Sequence, residues 1–330
     1  MSAPLLEIED LCLAVPGQAG ERPLLRGVDL AVGAGEVVSI VGESGSGKSL
    51  TARAVMGMLP DGAKTAGSIR LAGTSVLAAS GNELRALRSQ RVAMVFQDPR
   101  AHINPVRRIG DYLTEAVTAV GGVSGSAARA RAIELLTATQ IEDPAGIMSR
   151  YPHELSGGML QRVMIAGALM GEPEMLLADE PTTALDVTTQ AEVMAILARL
   201  RRDFELAILF ITHDLELAAA FADRTAVMYA GRIVEEAPST VLHEHPEHPY
   251  TVGLLRSRPS LGHGTGRLEA IRGRPIEAAE VSGGCAFAPR CGFAEPRCLT
   301  EDPRLLPHGA GTVACLRAGE LGQVEERSHA

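Results

Sequence analysis

Apolar and polar residues alternate along the first part of the chain with the period of half-buried strands. LLEIEDLCLAV, VDLAV and SIRLAG carry that pattern, with a turn near Pro16 and Gly17. VVSIV at 37–41 is instead a continuous apolar, β-branched run, as in a parallel strand covered on both faces. A helical stretch follows at 50–59, and RVAMVFQ, ending at Gln97, reads as another strand. From about 98 to 172 the pattern is helical, with helices near 109–120, 127–139 and 159–170. MLLAD then predicts a buried strand, followed by a helix at 188–202, a strand at 207–212 and a helix at 215–222. TAVMYAGRIVEE predicts a hairpin turning at Ala230 and Gly231. Around residue 237 the composition shifts. HEHPEHPY reads as a proline-rich linker into a short helix at 250–256, in preference to a metal site.

The 330 residues are 46% hydrophobic and 22% charged, which fits a folded soluble chain and excludes a disordered or fibrous one. No run approaches the length of a membrane helix, and MSAPLLEIED lacks the pattern of a secretory signal. A net charge of −9 and a 3% aromatic content argue against nucleic acid as a partner. Lysine occurs only at 48 and 64, so each position invites a reason.

Lys48 has one. GESGSGKS follows VVSIV directly, and the octet matches G-x-x-x-x-G-K-[ST] between a strand and a helix. Gly42, Glu43, Ser44, Gly45, Ser46 and Gly47 would wrap a polyphosphate with inward N–H groups at a helix N-terminus. Lys48 would neutralise the β- and γ-phosphates, and Ser49 would ligate Mg²⁺. The chain is therefore expected to bind a nucleoside triphosphate.

Further segments narrow the class. LSGGM (155–159), MLLADEP (175–181), ALD (184–186), ITHD (211–214) and Gln97 follow in an order that resembles the ATP-binding subunits of ABC transporters. The resemblance covers roughly 35–235 and implies an α/β fold. It would be a P-loop NTPase core, a RecA-like subdomain with antiparallel β and helical subdomains, spanning 1–237. Asp179, ending an apolar strand, would hold Mg²⁺ through water, and Glu180 beside it would orient or deprotonate the attacking water. The resemblance makes His213 the switch residue between Glu180 and the γ-phosphate, and Gln97 a contact to the metal or water. Ser156, Gly157 and Gly158 open a helix and form a second anion site, which in this family closes on the ATP of a facing subunit. Two positions depart from the pattern. Val15 stands where the family has an aromatic residue on adenine, and Leu50, next to the bound phosphates, stands where many relatives have Thr.

Four of five cysteines fall at 285, 291, 298 and 315, in the spacing C-x5-C-x6-C-x16-C. A segment this rich in Gly and Pro needs something to hold it together. A reducing compartment disfavours disulfides, which points to a four-thiolate metal site at Cys285, Cys291, Cys298 and Cys315. Zinc normally uses C-x₂₋₄-C pairs, and none is present. A cubane accepts wider spacings. Zinc and free or redox-active thiols stay open beside [4Fe–4S]. QDPRAHINP, HPYTVGLL and this segment resemble the oligopeptide and dipeptide importers, in which some members carry [4Fe–4S] in the 238–330 extension.

The resemblance thus implies an ATPase that powers an importer of dipeptides or oligopeptides, using ATP and Mg²⁺. Nickel or another small solute is the alternative cargo, and a soluble non-transport ABC ATPase the alternative class. Implied partners are a second ATPase, identical or different, two transmembrane permeases and, indirectly, an extracytoplasmic solute-binding protein. The implied location is peripheral, on the cytoplasmic face of the inner membrane.

Overall fold

The structure, a computed structural model, describes residues 3–18, 20–120, 122–183, 185–257 and 270–320. Its strands are β1 (Leu6–Gly17), β2 (Gly20–Val32), β3 (Val37–Val41), β4 (Lys64–Leu71), β5 (Thr74–Ser75), β6 (Val92–Val95), β7 (Met175–Asp179), β8 (Ala207–Thr212), β9 (Arg224–Tyr229), β10 (Arg232–Pro238), β11 (Leu306–His308) and β12 (Gly311–Val313). The α-helices are α1 (Lys48–Val55), α2 (Gly81–Gln90), α3 (Pro99–His102), α4 (Ile109–Ala119), α5 (Gly125–Ala138), α6 (Pro144–Ile147), α7 (Gly157–Ala168), α8 (Val187–Phe204), α9 (Leu215–Phe221), α10 (Ser239–Glu244) and α11 (Pro249–Arg256).

A sheet in the order β11-β12-β10-β9-β3-β8-β7-β6 forms the centre. From β9 to β6 neighbouring strands are parallel, and beyond β9 they turn antiparallel. Every residue of β3, β7 and β8 is buried, as their continuous apolar runs predict. Because side chains alternate across a strand, these strands feed two cores. Val37, Leu176, Ala178, Ile208 and Phe210 face a core built with α4, α5, α7 and α8. Val38, Ile40, Leu177, Leu209 and Ile211 face the other, shared with α1 and an antiparallel sheet in the order β2-β1-β4-β5. The helices between β6 and β7 thus belong to the first core. Among the described residues no helix is long and apolar enough to cross a membrane.

A third core joins the C-terminal segment to the sheet. It gathers Val41, Leu215, Tyr229, Val234, Leu242, Tyr250 and Phe287. The rings of Tyr229 and Tyr250 lie 4.6 Å apart, and Phe287 stands within 5.4 Å of both. The segment also returns to the sheet, where β12 pairs with β10 through Glu235–Val313 and Glu236–Thr312. Gly311 is required there, since a Cβ would lie 2.1 Å from the Glu236 carbonyl.

Several boundaries differ from the sequence expectation. The first strand continues through Pro16, because β4 pairs with β1 only as far as Ala14 and the missing N–H has no partner to lose. The helix expected at 50–59 begins at Lys48 and ends at Val55, since the glycine loop itself forms its N-terminus. Helix α2, absent from the expectation, buries only Leu87, so it has almost no apolar stripe. Its signal was the capping box of Ser80 and Glu83. The hairpin turns at Ala230 and Gly231 as expected, both with positive φ (46° and 80°), the two-residue turn that suits strand twist.

His248, in the histidine- and proline-containing linker, is fully enclosed. Its Nδ1 accepts from the Tyr250 N–H at 3.1 Å, capping α11. Burial holds its pKa down to about 3, so the folded chain keeps it neutral while the unfolded chain protonates it near 6.5. The unfolded state therefore binds more protons between those values, and stability falls with acidification. Nearby Glu235, raised by burial, acts in the opposite sense over its own range. Between pH 6 and 4.5, urea melts should show wild-type stability falling about 1.4 kcal/mol per pH unit more steeply than His248→Gln. Parallel slopes would mean that His248 is not held neutral.

Candidate functional site

The phosphate loop leaves β3 at Val41 and enters α1 at Lys48. Gly42 has φ 154°, and a Cβ there would lie 2.2 Å from the Met228 carbonyl, so only glycine fits. Gly45 and Gly47 also take positive φ (80° and 111°). The β9–β10 turn closes over the loop, with Gly231 N–H donating to the Ser46 carbonyl at 2.8 Å. Lys48 Nζ folds back to donate to the Gly42 and Glu43 carbonyls at 2.8 and 3.0 Å. Burial lowers its pKa, opposed by the carboxylates of Glu180, Asp179 and Glu43. The Glu43 N–H, expected to face the phosphates, donates instead to the Tyr250 hydroxyl at 2.8 Å; the enclosed cation and the remaining N–H groups of the loop make an anion trap.

Facing it are the ends of the neighbouring strands. Asp179, 2% exposed at the end of β7, accepts from Ser49 Oγ at 2.7 Å. Burial raises its pKa, against the Ser49 hydrogen bond and the charge of Arg53. A buried carboxylate beside a hydroxyl at the loop's exit is a donor pair suited to a hydrated Mg²⁺. Glu180 follows with φ 47°, a backbone strain that turns its carboxylate away from Asp179's course. Its Oε2 accepts from Thr183 Oγ1 at 2.8 Å and from Gln97 Nε2 at 3.3 Å, and stands 3.5 Å from His213 Nδ1. The expected residues Lys48, Ser49, Gln97, Asp179, Glu180 and His213 thus converge. Thr183, which orients Glu180, was not foreseen from the sequence, and a Thr in DEPTT carried no distinguishing signal.

Other expectations resolve differently. The Leu50 side chain packs against the second core, so only its backbone N–H, in the first turn of α1, is available to an anion. Val15, near the end of β1, also packs against that core. Ser156 caps α7 by accepting from Met159 N–H at 3.3 Å, and Gly157 and Gly158 form its first turn. These three open on a separate cavity of about 620 Å³, lined also by Arg150, Arg162 and Asp186. None of its lining residues belongs to the phosphate loop. Of the ALD segment, Ala184 lies outside the described residues.

The cysteines come together without forming a metal group. Among the described residues no group of three or more His, Cys, Asp or Glu side chains stands where it could hold a metal ion. Cys285, Cys291, Cys298 and Cys315 are free thiols, and they line one small cavity with Phe287, Phe293 and Arg317. The Phe293 and Arg317 N–H groups donate to the sulfurs of Cys291 and Cys315, each at 3.4 Å. Burial raises the Cys285 and Cys291 thiols and pushes Cys315 up to about 11.

The chain matches the ABC transporter family over residues 25–183 and the C-terminal region of oligopeptide/dipeptide transporters over 234–298. It is 45% identical over 318 residues to the oligopeptide transport ATP-binding protein OppD of Mycobacterium tuberculosis, covering 96% of this chain and 52% of that protein. The chain therefore spans about half the length of the first curated relatives it matches. The probable D,D-dipeptide transport ATP-binding protein DdpD of Escherichia coli is also 45% identical, with 90% of this chain and 92% of that one aligned. AppD of Bacillus subtilis, an oligopeptide transport ATP-binding protein, is 43% identical over 96% and 98% of the two chains. Among solved structures, the dimeric post-hydrolysis state of the ATP-binding cassette MJ0796 with ADP and Pi superposes with a TM-score of 0.64 at 28% identity, over 71% of this chain and 98% of that one. The strand-end acids, the glycine loop beneath them and these likenesses lead to one conclusion: the chain belongs to the family of ATP-binding proteins of ABC-type oligopeptide and dipeptide transporters.

Proposed function

We propose that this chain binds and hydrolyses MgATP to power import of dipeptides or oligopeptides. The observation that carries the ATPase reading is the convergence of Lys48, Ser49 and Asp179 with Glu180 at the ends of β3 and β7. Lys48 and the loop N–H groups neutralise the phosphates, while Ser49 and Asp179 position Mg²⁺. Glu180, already held by Thr183 and Gln97, takes the proton of the attacking water, and His213, beside the same carboxylate oxygen, bridges to the γ-phosphate. Since the Ser156–Gly158 turn opens on a different cavity from the phosphate loop, one chain holds two half-sites. Two ATPase chains facing head to tail complete both. Peptide as cargo rests on the named relatives; the two permeases and the solute-binding protein are the partners that an importer of this kind requires. Peripheral attachment at the inner membrane face follows from that assembly.

For the cysteines we propose a [4Fe–4S] cluster held by Cys285, Cys291, Cys298 and Cys315. The four cysteines line one small cavity, and their wide sequence spacing suits a cubane better than zinc, which normally uses C-x₂₋₄-C pairs. Backbone N–H bonds to two of the sulfurs suit thiolates, and the cluster's iron would supply the positive charge that buried thiolates need.

Two outcomes are expected. Glu180→Gln should lower ATP hydrolysis at least about a hundredfold while still binding ATP. Unchanged turnover would remove Glu180 from the role of base. Anaerobically purified protein should contain iron and acid-labile sulfide in equal amounts, lost on Cys298→Ser. A stoichiometric zinc content without sulfide would replace the cluster with the zinc reading.

A further inference from the structure

The second residue of the phosphate loop is an acid, Glu43, in a loop built to receive anions. The C-terminal segment accounts for it. Arg290, whose side chain is 4% exposed, reaches Glu43 with a two-pronged fork: Nη1 to Oε2 at 2.6 Å and Nη2 to Oε1 at 3.0 Å. Two more of its five N–H groups are taken as well. Nε donates to the Arg272 carbonyl at 2.9 Å, and Nη1 also to the Tyr229 hydroxyl at 3.4 Å. The rings of Tyr229 and Phe287 lie against the guanidinium, each 5.8 Å from its carbon. A planar fork fixed on four sides is a rigid support, which lysine could not reproduce.

The same residue is held by its backbone. Glu43 N–H donates to the Tyr250 hydroxyl at 2.8 Å, and the Glu43 carbonyl accepts from Lys48 Nζ. One end of Glu43 therefore anchors the lysine that would meet the phosphates, and the other ends on Arg290 and Tyr250, both outside the 25–183 cassette match. Arg290 itself closes the turn Ala288–Arg290, next to Cys291.

We propose that Arg290 is a positioning residue for nucleotide binding: it neutralises Glu43 and fixes the phosphate loop from the C-terminal segment. The inference rests on the ATP-binding reading given above. Without the fork, a partly enclosed carboxylate loses its counter-charge beside the triphosphate, and the Lys48 anchor loses its support. The pair also gives the cysteine segment a direct mechanical path to the nucleotide.

The test is MgATP affinity and steady-state ATPase kinetics on the full chain. Arg290→Gln should raise Kd and KM for MgATP roughly tenfold and leave kcat at saturating ATP within about twofold, because the acids at the strand ends are untouched. Arg290→Lys, which keeps the charge without the fork and spares the fold if Arg290→Gln does not, should raise Kd about threefold. Combining Arg290→Gln with Glu43→Gln should weaken binding no further than Arg290→Gln alone, since both changes break one interaction. Additive losses, a Kd within twofold of wild type for Arg290→Gln, or a fall in kcat at unchanged KM would each overturn the proposal. A wild-type chain that failed to bind MgATP would overturn the nucleotide reading itself, a result distinguishable from the others.

Discussion

A backbone that turns its N–H groups toward an anion must find other partners for the polar groups left over. That constraint organises this molecule. The phosphate loop's carbonyls at Gly42 and Glu43 go to Lys48, the Ser46 carbonyl goes to the Gly231 N–H, and the Gly47 carbonyl goes to Thr51. The outward N–H of Glu43 goes to Tyr250. The partners come from three separate stretches of chain, so the loop's shape depends on α1, the β9–β10 turn and the C-terminal segment together. The apolar cores put those stretches within reach.

Much of this was legible in the sequence where one residue type has one physical use. Glycines at 42 and 47 mark backbone that no Cβ can occupy, and the apolar run ending at Asp179 places a carboxylate at a strand end. Continuous apolar runs gave the central strands because both faces are buried. What could not be read were contacts across long separations. Glu43 and Arg290 lie 247 positions apart, and nothing local to either announces the other. Helix α2 was hidden for a different reason: a surface helix with one buried leucine has no periodicity, and only its cap speaks for it. The cysteines were conspicuous by spacing, yet spacing does not say how far apart folded sulfurs lie.

The third core explains how so short a C-terminal segment keeps a defined shape. In a chain with only ten Phe and Tyr residues, Tyr229, Tyr250 and Phe287 are stacked into one knot beneath it. Tyr229 belongs to the sheet, Tyr250 to α11 and Phe287 to the cysteine segment, so each ring ties a separate piece to the others. Buried aromatic rings favour such edge-on and tilted contacts over flat stacking. Their hydroxyls then face the two groups that need them, the Glu43 N–H and the Arg290 guanidinium.

The strand pairing of β12 with β10 carries a consequence for the chain's solubility. A central sheet that ended at β10 would offer the outer edge of a seven-residue strand to any passing strand. The hairpin covers part of that length and then stops the sheet from growing. Its outer strand β11 has three residues, with Pro307 at the centre, where no N–H remains to recruit a further neighbour. At the opposite margin β6 is only four residues long. Both rims of the central sheet are thus poor templates for edge-to-edge aggregation, and the C-terminal segment supplies one of those guards.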